Sequence, residues 1–408
     1  MAIGSDVRVR EGRPRVRPGR PRPARRDTVL AVARRGPELD AAFAFAGVAV
    51  LVYAAVGFSP ALLAPVHTNH AFGSTGVAVL DGWMHWDAGW YANVARHGYG
   101  YRTGGQSSVA FFPLYPFLMR SVALATRDVL VAGVAVTVAS GLASVALFAH
   151  WLDGRVETRA RALAVSLLLV FPYAYFLYGA VYSDALFLAC ALGAFVLLED
   201  GRPWAAGVVG ALATAARPIG PFLVVGLFAR TIELHRQRGE GSAVRAVLPV
   251  GTSALGLVAY ATYLGARFGD PLAFAHTQTA WGHGWSIATL AKIPLVRDLA
   301  HASYPYALVR YAAAPAVTLA ALVAIPFVFR RFGVAYGLYA LGVVAFPALV
   351  TDDLFSMGRF LLAAFPCFAV GGVALARCNR TAGAAVVVAS ATGLLVVSAM
   401  LARGYYLA

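Results

Sequence analysis

Residues 81–101, DGWMHWDAGWYANVARHGYGY, place Asp81, His85, Asp87, Arg96 and His97 among Trp83, Trp86, Trp90, Tyr91, Tyr99 and Tyr101. Aromatic residues of this kind often sit at the headgroup level of a bilayer, and a belt with incidental polar groups is the plainer explanation of the cluster. Asp87, lying between Trp86 and Trp90, argues for more. A carboxylate held at an apolar boundary costs free energy unless something uses it. Such a group can take a proton from a hydroxyl nucleophile and can stabilise positive charge growing at the carbon under attack. Asp87 is therefore the candidate base, with Asp81 in reserve, and His85, Trp86, Arg96 and His97 are candidate binding groups around it.

Transfer of a sugar to a hydroxyl needs both of those services. If the sugar arrives on a lipid phosphate, the leaving phosphate needs cations on the same side of the membrane. Arg217, in ATAARPIG, and Arg359, in DDLFSMGRFLLAAFPCF, are the candidates; ion pairing with a nearby acid, or snorkelling, is the alternative for each. Asp184 in VYSDALF begins a helix with Ser183 before it as an expected N-cap, so it serves either the helix start or the site. Downstream, FAHTQTAWGHGW offers Gln278 and Trp281 for hydrogen bonding and stacking against a sugar. Its histidines, His276 and His283, lack the spacing of a metal pair. No obligatory metal is expected, although Asp87, Asp184 and Asp352, if they converged, would suit Mg²⁺ or Mn²⁺ through oxygen ligation.

These residues must be positioned by membrane helices. The 408-residue chain is 60% hydrophobic and only 13% charged, too little polar surface to coat a water-soluble globule. A spanning helix needs about 20 apolar residues, and eleven apolar runs suggest spans near 41–64, 129–151, 162–181, 183–199, 203–216, 218–232, 244–266, 305–329, 333–350, 357–376 and 381–401. The stretch 109–125 carries Pro113 and Pro116 and is expected to be re-entrant or interfacial. The runs on either side of Arg217-Pro218 are short and suggest a broken helical hairpin. That break also leaves a second function open, a transporter or flippase of lipid-linked sugars.

Charge fixes the expected orientation. Eleven arginines lie within residues 1–35 and give most of the formal net charge of +15. With its prolines and glycines, this segment is expected to be a disordered, retained cytoplasmic tail (residues 1–40) rather than a nucleic-acid-binding arm or a cleaved leader. A cytoplasmic N-terminus also puts Arg155, Arg159, Arg161, Arg202, Arg236, Arg238, Arg330, Arg331, Arg377 and Arg380 on the cytoplasmic side. Asp87, Asp184, Asp352 and Asp353 then face outward. Cys190, Cys367 and Cys378 have no paired spacing and are assigned to packing. The expected product is one all-α polytopic domain, residues 41–408, in the plasma membrane, with a large first outer loop and an extracytoplasmic site.

HWDAGWY followed by ARHGYGY and FFPLYP resembles the signature of the PIG-V family, which includes the second mannosyltransferase of GPI-anchor assembly and prokaryotic relatives. VYSDALF, ARPIG, QTAW with Gly282, and SMGRFLLAAFP resemble further family segments in the same order. Asp184 stands where glutamate is commoner in the family, and Gly358 where proline is frequent. The resemblance implies a GT-C glycosyltransferase bundle with Asp87 as the catalytic aspartate. It also implies a polyprenyl-phosphate-mannose donor and an inverting single displacement. A cell-envelope glycolipid, glycan or protein is the expected acceptor.

Overall fold

The structure is a computed structural model that describes residues 36–66, 73–238, 243–300 and 308–407. The basic segment 1–35 lies outside the described residues. The first helix, α1 (Pro37–Leu62), opens with Pro at its first turn and with Glu38 and Asp40 near its positive end. It thus starts four residues before the expected boundary at 41. The chain then forms α2 (Asp87–His97), α3 (Leu114–Thr126), α4 (Val129–Leu152) and α5 (Thr158–Leu169). Next come α6 (Asp184–Glu199), α7 (Pro203–Thr214), α8 (Gly220–Arg238) and α9 (Ala246–Phe268). The series closes with α10 (Tyr311–Phe332), α11 (Val334–Val350), α12 (Met357–Leu362), α13 (Phe365–Arg377) and α14 (Arg380–Ala402). Among the described residues the only β pairing is an isolated bridge between His283 and Thr351.

Five helices, α1, α4, α9, α10 and α14, are long and apolar enough to cross a membrane; α7, α11 and α13 are shorter apolar helices. Two expected spans are broken. The 162–181 run ends its helix at Leu169 and continues through irregular backbone to a single turn at Tyr175–Tyr178. The 357–376 run divides into α12 and α13, with Pro366 in the first turn of the second helix. Hydropathy does not reveal either break, because the irregular residues are largely apolar; Pro172 and Pro366 are the signals that mark them. The hairpin break at Arg217-Pro218 forms as expected, between α7 and α8. At 13 residues, α3 is too short to span.

Close packing and hydrogen bonds between helices hold such a bundle where lipid supplies no hydrophobic drive. Helix α4 is the central post, packed against α1, α3 and α6. Asp128 caps it, its carboxylate accepting from the Leu130 and Val131 N–H groups at 2.6 and 3.1 Å. Thr137 of α4 donates to the Ala180 carbonyl at 3.0 Å, and Ser144 donates to Ala185 at 3.1 Å. These bonds fix the start of α6, where Ser183 and Asp184 sit. Trp83 is fully buried with its ring against Gly179, where an added Cβ would come within 2.7 Å of the indole. The first loop is thereby pinned to the turn before α6.

The two ends of the bundle differ. At one end α1 begins: Glu38 meets His150, Arg155 pairs with Glu199, and Arg331 reaches the Arg155 carbonyl at 3.5 Å. At the other end α1 finishes: Arg403 donates to the Leu63 carbonyl at 2.9 Å, and His85 lies 3.3 Å from the Ala402 carbonyl. The first long loop is at this second end.

Candidate active site

Asp87 is the first residue of α2, where the positive end of the helix favours a carboxylate. The chain reaches it through a strained residue: Trp86 has φ 60° and ψ −118°, a conformation rare for a side chain of its size. Contacts to the C-terminal residues hold Trp86 there, its indole N–H donating to the Tyr405 carbonyl at 3.3 Å and its ring lying 4.3 Å from that of Tyr406. The Asp87 backbone N–H donates to the Tyr182 hydroxyl at 3.1 Å. Strain next to the acid, balanced by contacts from two distant segments, is the signature of a positioned group.

The Asp87 carboxylate receives Arg359 Nη1 at 2.6 Å, and each side chain is 16% exposed. Arg359 comes from α12, and its guanidinium lies over the rings of Tyr182 and Phe360 at 5.7 and 5.5 Å. A second pair, Asp184 with Arg217, is more deeply buried, with Arg217 4.9 Å above the Phe360 ring. Both arginines therefore lie against one phenylalanine. Both pairs border a cavity of about 90 Å³, which Tyr91, Ser183, Gln278, Trp281, His283, Ser356 and Tyr406 also line.

Two donors at this cavity, Arg359 Nε and the Trp281 indole N–H, are buried and make no hydrogen bond among the described residues. An unmade bond at a buried donor costs about 1–3 kcal/mol, so both are poised for an acceptor. Trp281 is held edge-on by Trp90 and Phe111, at 5.5 and 5.7 Å.

Helix α3 begins with its Leu114 N–H donating to Ala215 in the hairpin break at 3.0 Å, which fixes the FFPLYP segment beside Arg217. The second loop docks across the cavity. His283 bridges to Thr351, the Gly284 N–H donates to the Val350 carbonyl at 2.9 Å, and His283 Nδ1 lies 2.8 Å from Gln278 Oε1. Burial first, and then the charge of Arg359, push the His283 imidazole down to about 4. Thr289 donates to Asp352 at 2.5 Å, and Lys292 to the Thr351 carbonyl at 2.5 Å, closing the outer edge of the loop.

Of the residues singled out in sequence, Asp87, Asp184, Arg217, Gln278, Trp281 and Arg359 meet at the cavity. The other four do not line it. Arg96 and His97 are exposed at the far end of α2, and ten residues of helix carry His97 about 15 Å from Asp87. His85 and Trp86 turn toward Ala402 and Tyr405. Asp81, the reserve base, is occupied elsewhere. Burial tends to raise its carboxyl, but bonds from the Ser74 hydroxyl and from the hydroxyl and N–H of Thr75 outweigh that and hold it below its ordinary value. Ser183 takes the N-cap position of α6 without capping it; its hydroxyl lies 2.8 Å from the Tyr91 hydroxyl instead. His276 pairs with Asp270 away from the cavity. Tyr91, Tyr182, Ser356, Phe360 and Tyr406 are the additions that sequence reasoning missed. No group of three or more His, Cys, Asp or Glu able to hold a metal occurs among the described residues.

Residues 54–235 match the family described as Mannosyltransferase (PIG-V). The match covers less than half of the chain. Asp87, Asp184 and Arg217 fall within the matched residues, whereas Gln278, Trp281 and Arg359 fall beyond them. Relatives include the GPI alpha-1,6-mannosyltransferase 2 of Rattus norvegicus, 35% identical over 175 residues, which are 40% of this chain and 34% of the relative. The Mus musculus protein of the same name is 36% identical over 154 residues, 35% of this chain and 30% of that one. The chain thus aligns with about a third of the length of these curated relatives. Among solved structures it is similar to ArnT of Cupriavidus metallidurans bound to undecaprenyl phosphate, with 15% identity, a TM-score of 0.49, and coverage of 90% of this chain and 75% of that one. It is also similar to the Archaeoglobus fulgidus oligosaccharyltransferase, with 10% identity, a TM-score of 0.41, and coverage of 88% and 53%. The matched segment thus contributes Asp87 and one arginine of the site, and α12, outside it, supplies the second arginine.

Proposed function

We propose that the protein is a GT-C-type membrane glycosyltransferase that moves mannose from a polyprenyl-phosphate carrier to a hydroxyl of a cell-envelope glycolipid, glycan or protein on the outer face. The observation that carries this reading is the joint presence at one cavity of an acid and two arginines, Asp87, Arg359 and Arg217. The PIG-V match and the mannosyltransferase relatives support mannose as the sugar.

In this mechanism the acceptor oxygen attacks the anomeric carbon while the bond from that carbon to the phosphate oxygen breaks. Asp87 takes the acceptor's proton, and the departing lipid phosphate keeps the bonding electrons. Arg359 serves both partners: Nη1 orients the Asp87 carboxylate, while Nε is free to donate to the phosphate. Arg217, paired with Asp184, adds a second guanidinium beside Phe360. Attack from the face opposite the phosphate inverts the anomeric centre. No step requires a metal; chelation that abolished transfer, with recovery on adding Mg²⁺ or Mn²⁺, would overturn that part. No observation favours a transporter of lipid-linked sugars.

The test is transfer of radiolabelled mannose from polyprenyl-phosphate mannose in membranes holding the intact protein or Asp87→Asn. Label found only with the intact protein supports the reading. Equal labelling by the well-expressed variant sinks it.

A further inference from the structure

A second concavity runs from beside α12 to the end of the bundle where Arg331 meets Arg155, the end opposite the first long loop. It is a groove of about 720 Å³ between α5, α10 and α13, edged by Ser390 of α14. Phe171, Phe327 and Phe368 line its length, and Arg330, Arg331 and Arg377 line its end. Among the described residues no acidic one borders it. Neither Arg330 nor Arg377 pairs with a carboxylate among the described residues, unlike Arg155, Arg161, Arg217, Arg230 and Arg359 in the same bundle. Arg331 reaches only the carbonyl of Arg155.

We propose that this groove is a binding site for one anionic glycerophospholipid of the leaflet opposite Asp87, its phosphate on Arg330 and Arg377 and an acyl chain along the phenylalanines. Length fits. From Arg330 to Val317, both on the groove wall, α10 rises about 20 Å at about 1.5 Å per residue, enough for one leaflet of a hydrocarbon core about 30 Å thick. Charge fits as well. Two arginines free of carboxylates are a fork for a phosphodiester, and in a membrane an anionic headgroup is the partner at hand. The chain's own residues 1–35, with eleven arginines, carry the wrong charge to fill it. Small side chains at Ala324, Gly371 and Ala374 leave the floor open.

The experiment uses the purified full-length protein in mild detergent with added dioleoyl phosphatidylglycerol or dioleoyl phosphatidylcholine, counting bound lipids by native mass spectrometry. The intact protein should prefer phosphatidylglycerol by at least about tenfold, equivalent to about 1.4 kcal/mol, and Arg330→Gln with Arg377→Gln should abolish that preference. Ala324→Trp, which fills the groove and leaves both arginines in place, should bind neither lipid there, and it decides the matter if the arginine variant does not fold. Equal retention of the two lipids by the intact protein, or undiminished phosphatidylglycerol on Ala324→Trp, overturns the proposal. So does displacement of phosphatidylglycerol by one equivalent of polyprenyl phosphate, which would make the groove part of the donor's path.

Discussion

Arg359 donates to Asp87 at 2.6 Å although 272 residues separate them in the chain. The bond joins the start of α2 to α12, so the acid and its cation form one unit contributed by the two halves of the protein. Groups that act as a unit are expected to show non-additive losses. Asp87→Asn should lower mannose transfer by about 10²–10⁴-fold, and Arg359→Lys, which keeps the charge but lacks the fork, by about 10²-fold. The double variant Asp87→Asn with Arg359→Gln should be no less active than Asp87→Asn alone. Radiolabel transfer in matched membranes measures all three; strictly multiplicative losses would mean that the residues work independently.

The second pair should matter first for folding. Asp184 and Arg217 are 3% and 5% exposed, so removing one partner leaves an uncompensated buried charge at a cost of about 3–5 kcal/mol. Asp184→Asn should therefore lower thermal stability in detergent sharply. Adding Arg217→Gln should restore more than half of the loss, because two neutral amides replace two charges. Failure of the second change to rescue the first would show that Arg217 already has another counter-charge.

The residues that meet at the cavity were legible as chemical types in short motifs: an acid among aromatics, arginines at a helix break and after an acidic pair, a glutamine and a tryptophan in a polar loop. Their convergence was not, because it depends on α4 fixing the start of α6 and on α3 docking at Ala215. His85, Trp86, Arg96 and His97 are as close to Asp87 in sequence as any residue, yet helix geometry carries two of them away, and the strained turn at Trp86 directs the other two elsewhere. Tyr406 enters from the C-terminal residues, which carry no motif at all. The eleven apolar runs located the bundle, but the breaks after Leu169 and before Pro366 lie inside apolar runs, where only Pro172 and Pro366 mark them.

Glycine at position 358 has a physical reason. A Cβ built on it would lie 2.3 Å from the Tyr173 ring, which is itself buried. Gly358→Ala should destabilise the protein by about 1–3 kcal/mol through overpacking, and Gly358→Pro by at least as much. Because α12 carries Arg359, transfer should fall as well. Tyr173→Leu in the same chain should recover stability if the clash is the cause. Melting curves of the single and double variants test this, and a Gly358→Ala protein as stable as the parent would mean that the ring simply moves.

His283 gives the site a pH signature. Its imidazole titrates normally near 6.5, and burial together with Arg359 lowers this to about 4 in the folded protein. Between those values the unfolded chain holds a proton that the folded chain does not, so stability falls as pH drops through that window and is fully present above about 6.5. The loss approaches one proton's worth, a slope of up to about 1.4 kcal/mol per pH unit. His283→Gln should flatten the dependence between pH 6.5 and 4 while leaving stability at pH 8 within about 1 kcal/mol, provided the amide keeps the contact to Gln278. Thermal unfolding of parent and variant across pH 4–8 is the measurement. Parallel curves would mean that the loop lets water and a proton reach His283 in the folded state.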